Sequence, residues 1–233
     1  VYDSGQGGKS VLQELVKLLP EEDFAYYADT AYCPYGPRPA EEIIERACAV
    51  TDFLISKGCI MIVVACNTAT AAAISHLRNH YNIPFVGMEP AVKPAVLQSK
   101  TGVVGVLATK GTFKGSLYLN TLAKFKEDVK VIQQVGEGLV ETVEKGLLDG
   151  PEVEALIHKC IDPMLEAGVD HIVLGCTHYP FLQPVIERIA GKSVTVINPA
   201  PAVARQAKKV LESIKGTEPS SGKKGSVQYY SSL

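Results

Sequence analysis

With 233 residues, 46% of them hydrophobic and 21% charged, the chain has enough apolar side chains for one large or two small globular domains. A formal charge of −2 offers no field to a nucleic acid or an anionic membrane surface, and no apolar run approaches the ~20 residues of a membrane span. An anionic ligand must therefore be held by a local site.

The chain opens in a strand-like stretch that runs into Asp3-Ser4-Gly5-Gln6-Gly7-Gly8, a polar, Gly-rich strand-to-helix turn. Its spacing fits neither a dinucleotide fingerprint nor a Walker loop. A helix follows over 11–19, with Val11, Leu12, Leu15, Leu18 and Leu19 on one face. Residues 24–28 read as a strand, and Pro34-Tyr35-Gly36-Pro37-Arg38-Pro39 as a loop. Residues 41–57 place Ile43, Ile44, Ala47, Val50, Phe53 and Leu54 at helical spacing. Residues 60–64 are continuously apolar and largely β-branched, the pattern of a strand buried on both faces of a parallel sheet. A strand over 103–107 ends at Thr109 and Thr112, the counterpart of the Gly-rich turn. Residues 216–225 read as a surface linker and 226–231 as a final edge strand. This alternation predicts the α/β class, with helices on both sheet faces.

An internal repeat organises the chain. Gly58 to Cys66 aligns without a gap on Gly168 to Cys176, so that each copy has a helix-ending Gly, a strand, and a Cys at the strand's C-terminal end. Thr68 and Thr177 follow the two cysteines, and Pro90-Ala91-Val92 and Pro201-Ala202-Val203 come later at nearly equal distance. Agreement over about 35 residues predicts two related units, with boundaries near Glu89-Pro90 and Asn198-Pro199. Ligands of open parallel sheets bind beyond the C-terminal strand ends, so two facing units would put Cys66 and Cys176 on opposite walls of one cleft. There the N–H groups of the following helices stabilise thiolate and bind carboxylate, with Asn67, Thr68, Thr177 and His178 as further donors.

A cysteine at a strand end is ordinarily a small buried hydrophobe. Two at equivalent repeat positions, one followed by Thr177-His178, argue for paired acid–base chemistry. The six cysteines show no CxxC pair and no His at zinc-finger spacing, so neither a disulfide framework nor a metal site is expected. Cys33, Cys48, Cys59 and Cys160 lack a polar catalytic context and read as plain thiols of a reducing compartment. His76, His80, His158 and His171 read as solvated side chains.

At these motifs the chain resembles the aspartate/glutamate racemase superfamily, its glutamate branch most of all. The resemblance rests on Asp3-Ser4-Gly5-Gln6-Gly7-Gly8, Pro34-Tyr35-Gly36, Ala65-Cys66-Asn67-Thr68-Ala69, Thr109 with Thr112, and Gly175-Cys176-Thr177-His178-Tyr179-Pro180. It implies two pseudo-symmetric doubly wound parallel-sheet domains with the active site in the cleft between them. Residues 1–90 plus 205–233 would form the first domain and 91–204 the second. It also implies cofactor-independent racemisation of glutamate, supplying D-glutamate for peptidoglycan, in a cytoplasmic homodimer. Cys66 would take the proton from the D-isomer and Cys176 from the L-isomer, with Asp3 and His178 tuning the thiols. Ser4, Pro34, Tyr35, Gly36, Asn67, Thr68, Thr109, Thr112 and Thr177 would bind substrate. His178 marks the glutamate branch, whose second motif reads Cys-Thr-His where aspartate enzymes typically have Cys-Thr-Glu.

Two departures stand out. Gly136-Glu137 replaces the Cys-Pro usual ahead of the family's Val-Glu-x-Gly (here Val143-Glu144-Lys145-Gly146), and an Asp-Ser common near Asn198-Pro199 is absent. Both are expected to lie off the catalytic shell. A related decarboxylase or isomerase would keep one of the two cysteines, and a ligand-binding α/β module would need neither.

Overall fold

The computed structural model describes residues 1–125, 129–216 and 222–233, which leaves 217–221 of the stretch read as a surface linker outside the described residues. In chain order the first half runs β1 (Tyr2–Asp3), α1 (Lys9–Leu18), β2 (Phe24–Ala28), α2 (Ala40–Ser56), β3 (Ile62–Val64), α3 (Asn67–His80) and β4 (Phe85–Gly87). The chain continues through α4 (Val92–Gln98), β5 (Val103–Ala108), α5 (Lys110–Phe113), α6 (Ser116–Lys124), β6 (Lys130–Val135), α7 (Leu139–Glu144), α8 (Pro151–Glu166) and β7 (His171–Gly175). It ends with α9 (Gln183–Ala190), β8 (Thr195–Ile197), α10 (Ala200–Lys215) and β9 (Val227–Ser231).

Two sheets result, ordered β4-β3-β1-β2-β9 and β6-β5-β7-β8, with every pairing parallel. Read in the opposite direction, the second sheet is β8-β7-β5-β6, which matches β4-β3-β1-β2 strand for strand. β9 adds one edge strand to the first. The sequence repeat is thus a repeat of topology, down to Gly58 and Gly168, which end α2 and α8 in the same left-handed conformation at φ +81°. The strand expected over 60–64 begins only at Ile62, because Ile60 lies in the preceding turn and is exposed.

Helices cover both faces of each sheet. In the first, α1 and α10 pack on one face and α2 and α3 on the other. In the second, α7, α8 and α9 cover one face and α4 and α6 the other. The two crossing helices are exchanged: α4 follows a strand of the first sheet yet buries Val92, Ala95 and Val96 against Val104, Val106 and Val173 of the second. α10 makes the reciprocal crossing, seating Ala200, Val203 and Ala204 against Val11, Leu12 and Leu15. The return to the first core therefore begins about one helical turn before residue 205. No helix among the described residues is long and apolar enough to cross a membrane.

His171 corrects its sequence reading. It lies in β7, buried, with its Nδ1 2.8 Å from Asp170 Oδ1, and Asp170 in turn accepts from the Ser99 hydroxyl and the N–H of Thr101. His76 and His80 stack on the surface of α3, and His158 is exposed beside Asp162.

A buried ion pair anchors the loop beyond β2. Asp29 is wholly buried and accepts from Arg46 Nε at 2.9 Å, from Arg46 Nη2 at 2.8 Å and from the Tyr35 hydroxyl at 2.5 Å. Arg46→Met would leave that carboxylate without a counter-charge. The expected loss of stability is about 3 kcal/mol, the low end of the range for breaking a buried pair because Arg46 keeps some solvent contact. Urea unfolding at unchanged slope measures it, and a loss below about 1 kcal/mol would show that Asp29 finds another partner.

Candidate active site

The site lies beyond the C-terminal ends of β3 and β7. Cys66 caps α3, its Sγ accepting from the Ala69 N–H at 3.4 Å while its thiol donates to Ser4 Oγ at 3.7 Å. Cys176 occupies the equivalent place after β7, but no α-helix follows directly. Pro180 and Pro184 cannot donate to a helical ladder, and the chain makes a 3-10 turn over Tyr179–Leu182 before α9.

Both cysteines line one cavity between the two halves, together with Ser4, Pro34, Tyr35, Gly36, Asn67, Thr68, Thr109, Thr177, His178 and Val140. Its water-accessible space is about 20 Å³, enough for about one water molecule. Asp3 and Thr112, also expected at the site, stand behind its walls. Asp3 Oδ2 accepts from the Gly5 N–H at 2.8 Å and Oδ1 from the Thr177 hydroxyl at 3.0 Å, so it holds the second half's turn against the first. Thr112 supports Thr109, whose hydroxyl meets those of Thr112 at 3.0 Å and Thr68 at 2.7 Å. Tyr35 lines the cavity, yet its hydroxyl is spent on Asp29. Asn67 donates through Nδ2 to the Met88 carbonyl, while its buried Oδ1 has no donor. No lining residue is Lys or Arg.

The two thiols sit in opposite electrostatic surroundings. Burial, and then the Asp3 carboxylate, push the Cys66 thiol up to about 12, against the Ala69 N–H. Burial also raises Asp3 above the usual carboxyl range, opposed chiefly by His178. Cys176 Sγ lies 3.7 Å from Nδ1 of His178, whose Nε2 is 2.5 Å from Glu144 Oε1. Burial disfavours charge on this imidazole, but its contacts with Cys176, Cys33 and Glu144 prevail and hold it protonated well above the usual range. Glu144 is correspondingly held ionised: burial opposes this, and His178 and the Gln6 N–H outweigh burial. A cation thus faces Cys176, and an acid faces Cys66.

Glu144 and Cys33 were missed in the sequence. Glu144 ends α7 and reaches both His178 and the Gln6 N–H, at 2.7 Å, so its Val-Glu-x-Gly motif is part of the site. Apart from that family motif, nothing local in the sequence distinguishes it from a helix-end glutamate. Cys33, read as a plain thiol, packs beside His178 and Glu144. Among the described residues, Cys33, Glu144 and His178 are the set whose donor atoms, all within 4.8 Å of one another, could hold a metal ion. Gly136, expected to lie off the catalytic shell, is tied to it indirectly, its carbonyl accepting from the Tyr179 hydroxyl at 3.2 Å. Asn198 is not among the lining residues, and its Oδ1 accepts from the Ala200 N–H at 2.9 Å at the start of α10.

A family model described as Asp/Glu/Hydantoin racemase matches residues 6–207. A glutamate racemase of Herpetosiphon aurantiacus is 46% identical over 232 residues, covering 100% of this chain and 91% of its own. The crystal structure of a glutamate racemase isoform from Bacillus anthracis superposes with a TM-score of 0.88 at 31% identity, over 100% of this chain and 87% of that one. A glutamate racemase from Francisella tularensis, solved in complex with D-glutamate, gives a TM-score of 0.84 at 26% identity, over 100% and 86%.

The Cys66 environment makes stability depend on pH. Folded, the thiol keeps its proton up to about pH 12, whereas an unfolded cysteine ionises near about 8.5. Between those values the folded state binds the extra proton, so this contribution is complete below the unfolded value and is lost as pH rises. Urea unfolding of the unmodified chain and of Cys66→Ala should show the stability difference between them shrinking from about pH 9 upwards. A difference independent of pH would mean that the folded thiol ionises normally.

Proposed function

The chain belongs to the Asp/Glu/Hydantoin racemase family, and we propose that it interconverts L- and D-glutamate by exchanging the Cα proton between Cys66 and Cys176. The observation that carries this reading is the pair of thiols at topologically equivalent strand ends lining one cavity. Racemisation removes a proton from one face of Cα and returns one to the other. A thiolate and a thiol on opposite sides do this with the substrate held still. The glutamate racemases that align over the whole chain support the substrate assignment.

The cavity walls divide the binding work. Asn67 Oδ1, the one buried acceptor among the lining residues without a donor, is placed to take the substrate ammonium. The hydroxyls of Ser4, Thr68, Thr109 and Thr177, with the N-terminal amides of α3, suit two carboxylates in a site that lacks Lys and Arg. Those on the α-carboxylate would also stabilise charge as Cα loses its proton. Cys176, facing the His178 cation, would deprotonate the L-isomer, and Cys66 the D-isomer once the substrate ammonium lies beside it. Because the cavity has room for about one water, the two halves must part to admit an amino acid.

D-Glutamate made here would supply peptidoglycan synthesis, and a cytoplasmic location accords with six free thiols. A homodimer is carried on the family resemblance.

In heavy water, product formed from either enantiomer should carry solvent deuterium while recovered substrate stays protiated early in the reaction. Cys66→Ser and Cys176→Ser should each fold and lose racemisation by several orders of magnitude, since an alcohol is a far poorer base than a thiol. Unlabelled product, or near-normal turnover by either mutant, would overturn the paired-thiol assignment. Specificity provides a separate test. Aspartate is one methylene too short to reach the distal donors and would leave them unpaired, at roughly 1–3 kcal/mol each. Glutamate is therefore expected to exceed aspartate in kcat/KM by at least about a hundredfold, and comparable values would make this a broad amino-acid racemase.

A further inference from the structure

We propose that Cys33, Glu144 and His178 form a site for a thiophilic divalent cation, Zn²⁺ being the ion that suits it best, whose binding takes up Nε2 of His178, the ring nitrogen not directed at Cys176, and ties the two halves of the cleft together. One thiol, one carboxylate oxygen and one imidazole nitrogen lie within 4.8 Å of one another. That mixture of sulfur, nitrogen and oxygen donors suits Zn²⁺, whose tetrahedral ligands stand roughly 3.3–3.6 Å apart. His178 Nε2 and Glu144 Oε1 are 2.5 Å apart with a proton between them, so an ion replaces that proton for a displacement of about 1 Å.

The donors converge on the backbone of Gly5, where a Cβ would stand 2.2 Å from Glu144 Oε1 and 2.9 Å from Cys33 Sγ. The backbone itself thus walls the site. His178 is 1% exposed, whereas Cys33 and Glu144 are half-buried, which gives an ion a route in and a side open to water as a further ligand. Cys33 precedes the Pro34-Tyr35-Gly36 loop of the first half. Glu144 ends α7 and His178 follows β7, both in the second half. An ion held by all three therefore bridges the elements that must separate to admit substrate. Binding expels two protons to solvent, one from the Cys33 thiol and one from Nε2, and the imidazole becomes a neutral ligand that keeps its Nδ1 proton. The site is distinct from the paired thiols and does not depend on which amino acid the cleft turns over.

The test is direct metal binding. The purified full chain is titrated with Zn²⁺ against a chromophoric chelator, and separately with Co²⁺, reading thiolate-to-cobalt charge-transfer absorption. One ion per chain is expected, with that absorption present. Cys33→Ala should abolish the absorption, and Cys33→Ala and Glu144→Gln should each weaken Zn²⁺ at least about tenfold, the low end of what losing an outer-shell partner typically costs. Cys66→Ser should leave both readings unchanged, and circular dichroism checks that each variant is folded. Cys33→Ser replaces Cys33→Ala if the latter does not fold. Unchanged affinity in the Cys33 variant overturns the proposal. So does loss of binding in Cys66→Ser with the Cys33 variant intact, which would put the ion on the paired thiols.

Discussion

The turn that carries Cys176, Thr177 and His178 seats against the first half where a side chain at position 7 would otherwise be. A Cβ on Gly7 would stand 2.4 Å from His178 Nδ1 and 2.7 Å from Thr177 Oγ1. This close approach lets short groups span the cleft: the Thr177 hydroxyl reaches Asp3, the Ser10 hydroxyl reaches the Thr177 carbonyl, and the Gln6 N–H reaches Glu144. These bonds involve backbone or one- to three-carbon side chains, so they tolerate little slack. They hold the two halves together in this closed arrangement and bring the two strand-end thiols to one cavity.

Burial then makes the site's electrostatics consequential. Asp3, Thr177 and His178 are all essentially withdrawn from solvent, where each proton or charge is felt strongly by its neighbours. The topology is pseudo-symmetric, but the charges are not. An acid stands near one thiol, and an imidazole paired with a glutamate stands near the other. A symmetric scaffold thereby places its two strand-end thiols in chemically different surroundings. The same crowding of thiol, imidazole and carboxylate that tunes the protons also makes donors suited to a soft cation.

Much of this was legible in the chain because the information was local or repeated. The Gly-strand-Cys repeat fell on β3 and β7, and helical spacing found α1 and α2 to within two residues at each end. Eleven of the thirteen expected site residues line the cavity, and Asp3 and Thr112 back it. Glu144 escaped because its importance comes from three partners that lie far from it in sequence, Gln6, Cys33 and His178. Cys33 escaped for the same reason. His171 was misjudged because a polar residue opening an apolar strand looks solvated until its partner, Asp170, is seen to be fixed by three further donors.

The class of fold, the duplication, the cysteine-bearing strand ends and the residue types gathered there are legible along the chain, since periodicity and motif spacing are properties of neighbours. Which groups face one another emerges from packing: Tyr35 turns its hydroxyl to Asp29, Thr112 stands behind Thr109, α4 and α10 exchange sheets, and Glu144 completes the His178 side of the cleft. Those facts depend on distances between segments remote in sequence, and such distances are set by how two packed cores meet, which no local pattern encodes.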